Sequence, residues 1–176
     1  SVTSMDYMFF HAESFKQKLC GDNWINPKVS KKNMLEGSSG SLCTSTSTAF
    51  SSATELKAAI GTCLQLSSRG DCSNGPHGSI ADWDVSRVNG MSAAFADAEL
   101  FSGDVSKWDV ARVTSMSRMF MRATSFNGDI SRWDVSSVTD MSFMFMRATS
   151  FKADVSNCDE SNVADMDGMF HGAISN

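Results

Sequence analysis

The chain has 176 residues, 41% of them hydrophobic and 20% charged, with a formal net charge of −5 from 15 basic and 20 acidic side chains. That composition is ordinary for a folded globular protein, and a negative balance with scattered basic residues argues against nucleic acid as a partner. No apolar run approaches the roughly 20 residues of a membrane span, and the start lacks the basic-then-apolar pattern of a signal peptide.

The chain opens inside a repeat. Val2, Met5, Phe9, Ala12, Phe15 and Leu19 reproduce the spacing of Val88, Met91, Phe95, Ala98, Phe101 and Val105. Residues 1–43 therefore read as the end of a first array with a Cys-containing cap. Because Ser1, not a methionine, stands at the start of that repeat, a processed or excised piece of a longer protein is expected. Gly37 to Thr48 holds ten Ser, Thr or Gly in twelve residues, the composition of a loop, and a Ser/Thr-rich linker is assigned to 44–52. Ala53 to Leu66 puts Leu56, Ala59, Ile60, Cys63 and Leu64 on one helical face. It is read as an N-terminal capping helix which, with the Gly- and Asn-rich turn after it, makes up 53–78. The first strand is expected at about Ile80 to Val85.

Residues 79–176 repeat at a fixed pitch. Val88, Val113, Val138 and Val163 stand 25 apart, as do Met91, Met116, Met141, Met166 and Phe95, Phe120, Phe145, Phe170. Residues 112–136 and 137–161 agree at 16 of 25 positions. Phe101, Phe126 and Phe151 form a further column, and Trp83, Trp108 and Trp133 another that breaks at Cys158. A period of this length means units that cannot bury their apolar faces alone and must stack. Within one unit Val113, Met116, Met119, Phe120, Ala123 and Phe126 follow helical spacing. The turn Asn127-Gly128-Asp129 then leads to an extended segment with Ile130, Trp133 and Val135. The expected fold is an α/β repeat: a leucine-rich-repeat-like β/α solenoid with a parallel strand ladder, helices or tight helical turns on the opposite side and a capping helix.

The pattern W-D-V-x-x-V-x-x-M-x-x-M-F-x-x-A-x-x-F-x-x-D-[IV]-S, clearest from Trp108 to Ser131, closely resembles the 25-residue repeat of BspA-like leucine-rich-repeat surface proteins. Those occur in mycoplasmas, other bacteria, protists and algae. Glu55 to Ile60 followed by Gly78 to Met91 looks like that family's array start, and Ser14 to Trp24 resembles its array end. The resemblance covers about three quarters of the chain. It implies a fold and a binding or adhesive role and brings no catalytic residues with it.

Bridges Cys63–Cys72 and Cys20–Cys43 would staple array ends where stacking contacts are missing, with free buried thiols as the alternative. If bridged, the compartment is oxidising, extracellular or an organelle lumen. Cys158 replaces a core Trp and reads as a small buried apolar residue. The columns Asp104, Asp129, Asp154 and Asp84, Asp109, Asp134, Asp159 read as carboxylates accepting backbone amides at tight turns. The lesser alternative is calcium bridging Asp104, Asp129 and Asp154. No zinc-type spacing, nucleophile elbow or phosphate-cradling loop occurs, so no enzyme activity and no cofactor are expected. Arg122 and Arg147 align, and with Met121 and Met146 they form a candidate contact surface, solvated side chains being the plainer reading. The leading function is a non-enzymatic protein-binding or scaffold module. The alternatives are an adhesin for glycan or host-matrix ligands and a structural subunit of a larger assembly. An exposed Trp24 would favour glycan, and an exposed apolar patch would favour a protein partner.

Overall fold

The structure is a computed structural model that describes residues 2–19, 24, 28–42, 49–73, 75–153 and 161–173. Among these the regular elements are few. β1 (Lys18–Leu19) pairs in parallel with β2 (Ser41–Leu42), α1 spans Ala53–Leu66, and a single 3₁₀ turn covers Ile80–Asp82.

The sequence of α1 specifies both ends. Ser52 accepts the amide of Glu55, and the Glu55 carboxylate returns to the amide and hydroxyl of Ser51, so donors with no helical partner are satisfied by side chains. Leu56, Ala59, Ile60 and Cys63 form the buried face. The Ser67 amide closes the last turn on the Cys63 carbonyl. A Cys63–Cys72 disulfide, with Cα atoms 5.3 Å apart, ties the segment after the helix back to it.

The expected β/α solenoid with a parallel strand ladder is overturned. Among the described residues the repeats of 79–176 contain no strand and no α-helix: adjacent units meet in single-residue bridges at Gly90, Ser115, Asp140 and Asp165, and apart from the 3₁₀ turn the rest is turns and irregular backbone. The strand expected at Ile80 to Val85 begins instead as the 3₁₀ turn. Residues 130–135, read as extended, contain only a turn at 131–132. The helix read from Val113 to Phe126 is a ribbon of overlapping turns. Met119 N–H closes on the Met116 carbonyl, Met121 on Arg118 and Ala123 on Phe120. The third residue of the first and last of these turns is left-handed: φ is 57° at Arg118 and 58° at Arg122.

Left-handed residues are the reason a helix is impossible. They recur at Ala93 and Asp97, Phe143 and Arg147, and Gly168 and Gly172, four residues apart each time, whereas a helix tolerates none. Their effect is to turn alternate amides out of the unit. Met91, Ala93, Phe95 and Asp97 donate to the carbonyls of Ser115, Ser117, Met119 and Met121 at 2.8–2.9 Å, and the same four-bond set joins each unit to the next through residue 147. Backbone groups that a helix would satisfy internally are thus satisfied between units.

Side-chain columns repeat this stacking. Phe95, Phe120, Phe145 and Phe170 lie near-parallel at centroid spacings of 5.3, 5.6 and 5.7 Å, beside Phe101, Phe126 and Phe151 at 5.7 and 6.0 Å. Trp108 Nε1 donates to the Ile80 carbonyl, and Trp133 Nε1 to that of Val105, so each indole crosses to the preceding unit. This core is continuous with the buried face of α1 through Phe50, Leu56 and Ile60.

Residues 2–42 hold a smaller core of Met5, Val29 and Met34 with Phe9, Leu19, Trp24, Leu35 and Leu42 against it. The same ribbon recurs there. Met5, Tyr7, Phe9 and His11 donate to Ser30, Lys32, Met34 and Glu36 at 2.8–3.0 Å, and Tyr7, His11, Asn33 and Gly37 are left-handed. Residues 29–38 are thus a further unit, with Lys31 at the position that is Met in its neighbours.

Candidate functional site

Two kinds of side chain line the outside of the stack: those consumed in holding turns, and those standing on the left-handed positions. The aspartate columns belong to the first kind. Asp84, Asp104, Asp129 and Asp134 each accept the amide of the serine two residues on, and Asp109 accepts that of Ala111. Hydrogen bonds to Ser106 hold the Asp104 carboxyl below its usual range, against burial and the neighbouring Asp129. For Asp129 the Ser131 amide does the same, and for Asp84 the Ser86 hydroxyl followed by its amide. Asp140 is pushed up by burial but pulled down further by Ser142, Ser115 and Ser117, and ends lowered. The calcium alternative needed the free oxygens of Asp104, Asp129 and Asp154. One oxygen of each of the first two is taken by the turn, and Asp154, like Asp159, lies outside the described residues. Among the described residues no three His, Cys, Asp or Glu side chains gather into a group that could hold a metal ion.

The left-handed positions form two columns whose occupants change from unit to unit. One runs Ala93, Arg118, Phe143, Gly168 and the other Asp97, Arg122, Arg147, Gly172. In the first, the Arg118 guanidinium lies 5.6 Å from the centre of the Phe143 ring. That ring in turn covers Gly168, where an added Cβ would stand 2.6 Å from its edge. In the second, Arg122 Nη1 is 3.2 Å from Asp97 Oδ1, with both side chains about half exposed, a geometry of small energetic weight. Arg147 leans over Gly172. Arg122 and Arg147 are therefore neighbours, since the Arg122 amide donates to the Met146 carbonyl. Met121 and Met146, each next in sequence to an arginine of the second column, are half-buried. The structure adds Arg118, Phe143 and Asp97 to this surface. The sequence signal for them was glycine at 168 and 172, in register with arginine and phenylalanine one and two units earlier.

Of the cysteines, Cys63 and Cys72 are bonded, while Cys20, Cys43 and Cys158 lie outside the described residues. Trp24 is half-buried against Phe9, with ring centres 6.1 Å apart. Large apolar side chains are exposed at Val2, Tyr7, Met8 and Phe10, which share one unit, and singly at Leu66, Leu100 and Met166. No helix among the described residues is long and apolar enough to cross a membrane.

A family model described as "Mycoplasma protein of unknown function, DUF285" matches residues 1–63 and again 44–176. The chain belongs to that family of repeat-containing proteins. Comparison with curated proteins and with solved structures finds no match for either.

Proposed function

We propose that the chain is a non-enzymatic protein-binding or scaffold module that presents its ligand with the two left-handed columns. One observation carries this reading: residues 93, 118, 143 and 168 share one backbone geometry yet hold Ala, Arg, Phe and Gly, as 97, 122, 147 and 172 hold Asp, Arg, Arg and Gly. The core columns beneath them hold nearly the same residue in every unit. An invariant scaffold carrying outward side chains that differ by unit is how repeat arrays build a recognition surface. Arginine and an aromatic ring are the residue types that dominate interface energetics.

The Cys63–Cys72 bridge supports an oxidising location. Together with the repeat's likeness to BspA-like surface proteins, it favours the cell surface over the cytosol. The test is capture from the native source with the natural chain beside Arg118→Ser/Phe143→Ser. A protein bound by the first and lost by the second supports the reading. Equal capture by both, or retention on glycan only, overturns it.

A further inference from the structure

Charge on the two left-handed columns runs against that of the whole chain. The chain carries −5, yet Arg118, Arg122 and Arg147 stand on these columns against one acid, Asp97. Stacking sets Arg122 and Arg147 one unit apart, and units repeat at 5.3–5.7 Å along the phenylalanine column. Like charges at that step repel each other. Arg122 reaches back to Asp97, whereas Arg147 leans over Gly172, so no acidic side chain of the column stands between the two arginines. Among the described residues neither Arg147 nor Arg118 has a carboxylate within ion-pair distance.

The guanidinium groups are also placed to take up an anion. Contact with the Phe143 ring, 5.6 Å away, holds the Arg118 guanidinium in place and leaves its N–H donors available at the edge of the planar group. Phe143 is seated in turn by Gly168, whose missing side chain leaves the space the ring fills. Arg122 and Asp97 meet at 3.2 Å with both side chains about half exposed, so a ligand carboxylate can replace Asp97 at little cost.

Neighbouring residues decide which anion fits. Asp97 and Glu99 stand on the unit before the basic patch, and Asp165 and Asp167 on the unit after it. The patch is therefore two units wide, and a long polyanion such as a sulphated glycan would run its charges onto those carboxylates. Apolar surface lies close by: Phe143 is half-buried, as are Met121 and Met146 beside Arg122 and Arg147. Carboxylates close to an apolar side chain are what a protein segment supplies and a sulphated glycan does not.

Resting on the reading of these columns as the binding surface, we infer that the partner presents a short acidic segment. Its carboxylates take forked contacts from Arg118, Arg122 and Arg147, and an apolar side chain beside them rests against Phe143 and Met146.

Fluorescence anisotropy with three labelled probes tests this: the peptide Glu-Glu-Phe-Asp-Glu-Leu-Asp, the same peptide with Gln for Glu and Asn for Asp, and a heparin oligosaccharide. The acidic peptide is expected to bind the natural chain more tightly than either other probe, and less tightly as salt rises. Arg122→Gln/Arg147→Gln should weaken it by about tenfold or more. Arg122→Lys/Arg147→Lys, which keeps the charge but not the fork, should weaken it by less. Circular dichroism matching the natural chain shows that both variants fold. No binding of the acidic peptide beyond that of the neutral one, preference for the oligosaccharide, or indifference to Arg122→Gln/Arg147→Gln overturns the acidic segment. Capture from the native source separates this from the wider reading. A protein held equally by the natural chain and Arg122→Gln/Arg147→Gln, but lost from Arg118→Ser/Phe143→Ser, keeps the columns as a binding surface and overturns the acidic segment alone.

Discussion

Phe120 lies at the middle of the aromatic column, and its removal tests the packing most directly. The side chain is fully buried, with ring centres at 5.3 Å to Phe95, 3.9 Å to Phe126 and 5.6 Å to Phe145. A buried phenylalanine withdraws about 150–250 Å² from water, which at about 25 cal/mol per Å² is about 4–6 kcal/mol. Phe→Ala replacements in packed cores cost about 3–5 kcal/mol. Phe120→Ala is therefore expected to destabilise by about 4 kcal/mol, a large part of a domain's whole stability. Phe170, covered by Phe145 and Phe151 but half-buried at the last described unit, is expected to cost about half as much on truncation. Urea unfolding is followed by tryptophan fluorescence, since Trp83, Trp108 and Trp133 are all in the core, with circular dichroism in parallel. A cost for Phe120→Ala below about 1.5 kcal/mol, or equal to that of Phe170→Ala, refutes the continuous column.

Three further outcomes follow from the same geometry. Ala93 has φ of 54°. Relieving a left-handed alanine gains about 1–2 kcal/mol against about 0.5–1 kcal/mol of extra unfolded-state entropy, so Ala93→Gly should raise the urea midpoint; a lowered midpoint contradicts the strain argument. Reducing Cys63–Cys72, which closes a loop over a sequence separation of 9, should cost about 2–3 kcal/mol, read as a lower melting temperature in reductant that a Cys63→Ser/Cys72→Ser variant reproduces without it. Asp84, Asp104, Asp129 and Asp140 all have folded-state values below the ordinary one. Their stabilisation is complete above about pH 4, the unfolded value, and is lost as pH falls through the folded values. Acid titration of the unfolding free energy should show this loss, with a shallower slope in Asp104→Asn/Asp129→Asn; an unchanged slope assigns the loss elsewhere.

How much of this was legible from the chain depends on which forces act locally. α1 was readable at Ala53–Leu66 because its apolar face lies within one short segment. The 25-residue pitch was readable because each core column repeats one residue type, and stacking like on like needs no further information. The aspartates at turn positions 84, 104, 109, 129 and 134 were readable for the same local reason, each binding a backbone amide two residues away. The unit at 29–38 was missed because Lys31 breaks the Met column and the spacing there is one residue longer.

What a single sequence determined here is the membership of the core: Val, Met, Phe and Trp at fixed intervals. The conformation carrying them was decided by neighbours. Apolar residues at steps of three and four fit one face of a helix, and they fit a ribbon of turns as well, since both bring those positions to one side. The two differ in where the amides go. A helix spends them on itself, whereas left-handed residues at 118 and 122 send alternate amides to the next unit, 2.8–2.9 Å away. Only stacked copies make that exchange favourable, which is why arginine and phenylalanine occupy a backbone region that neither would choose alone. The exposed columns they form exist only in the tertiary structure.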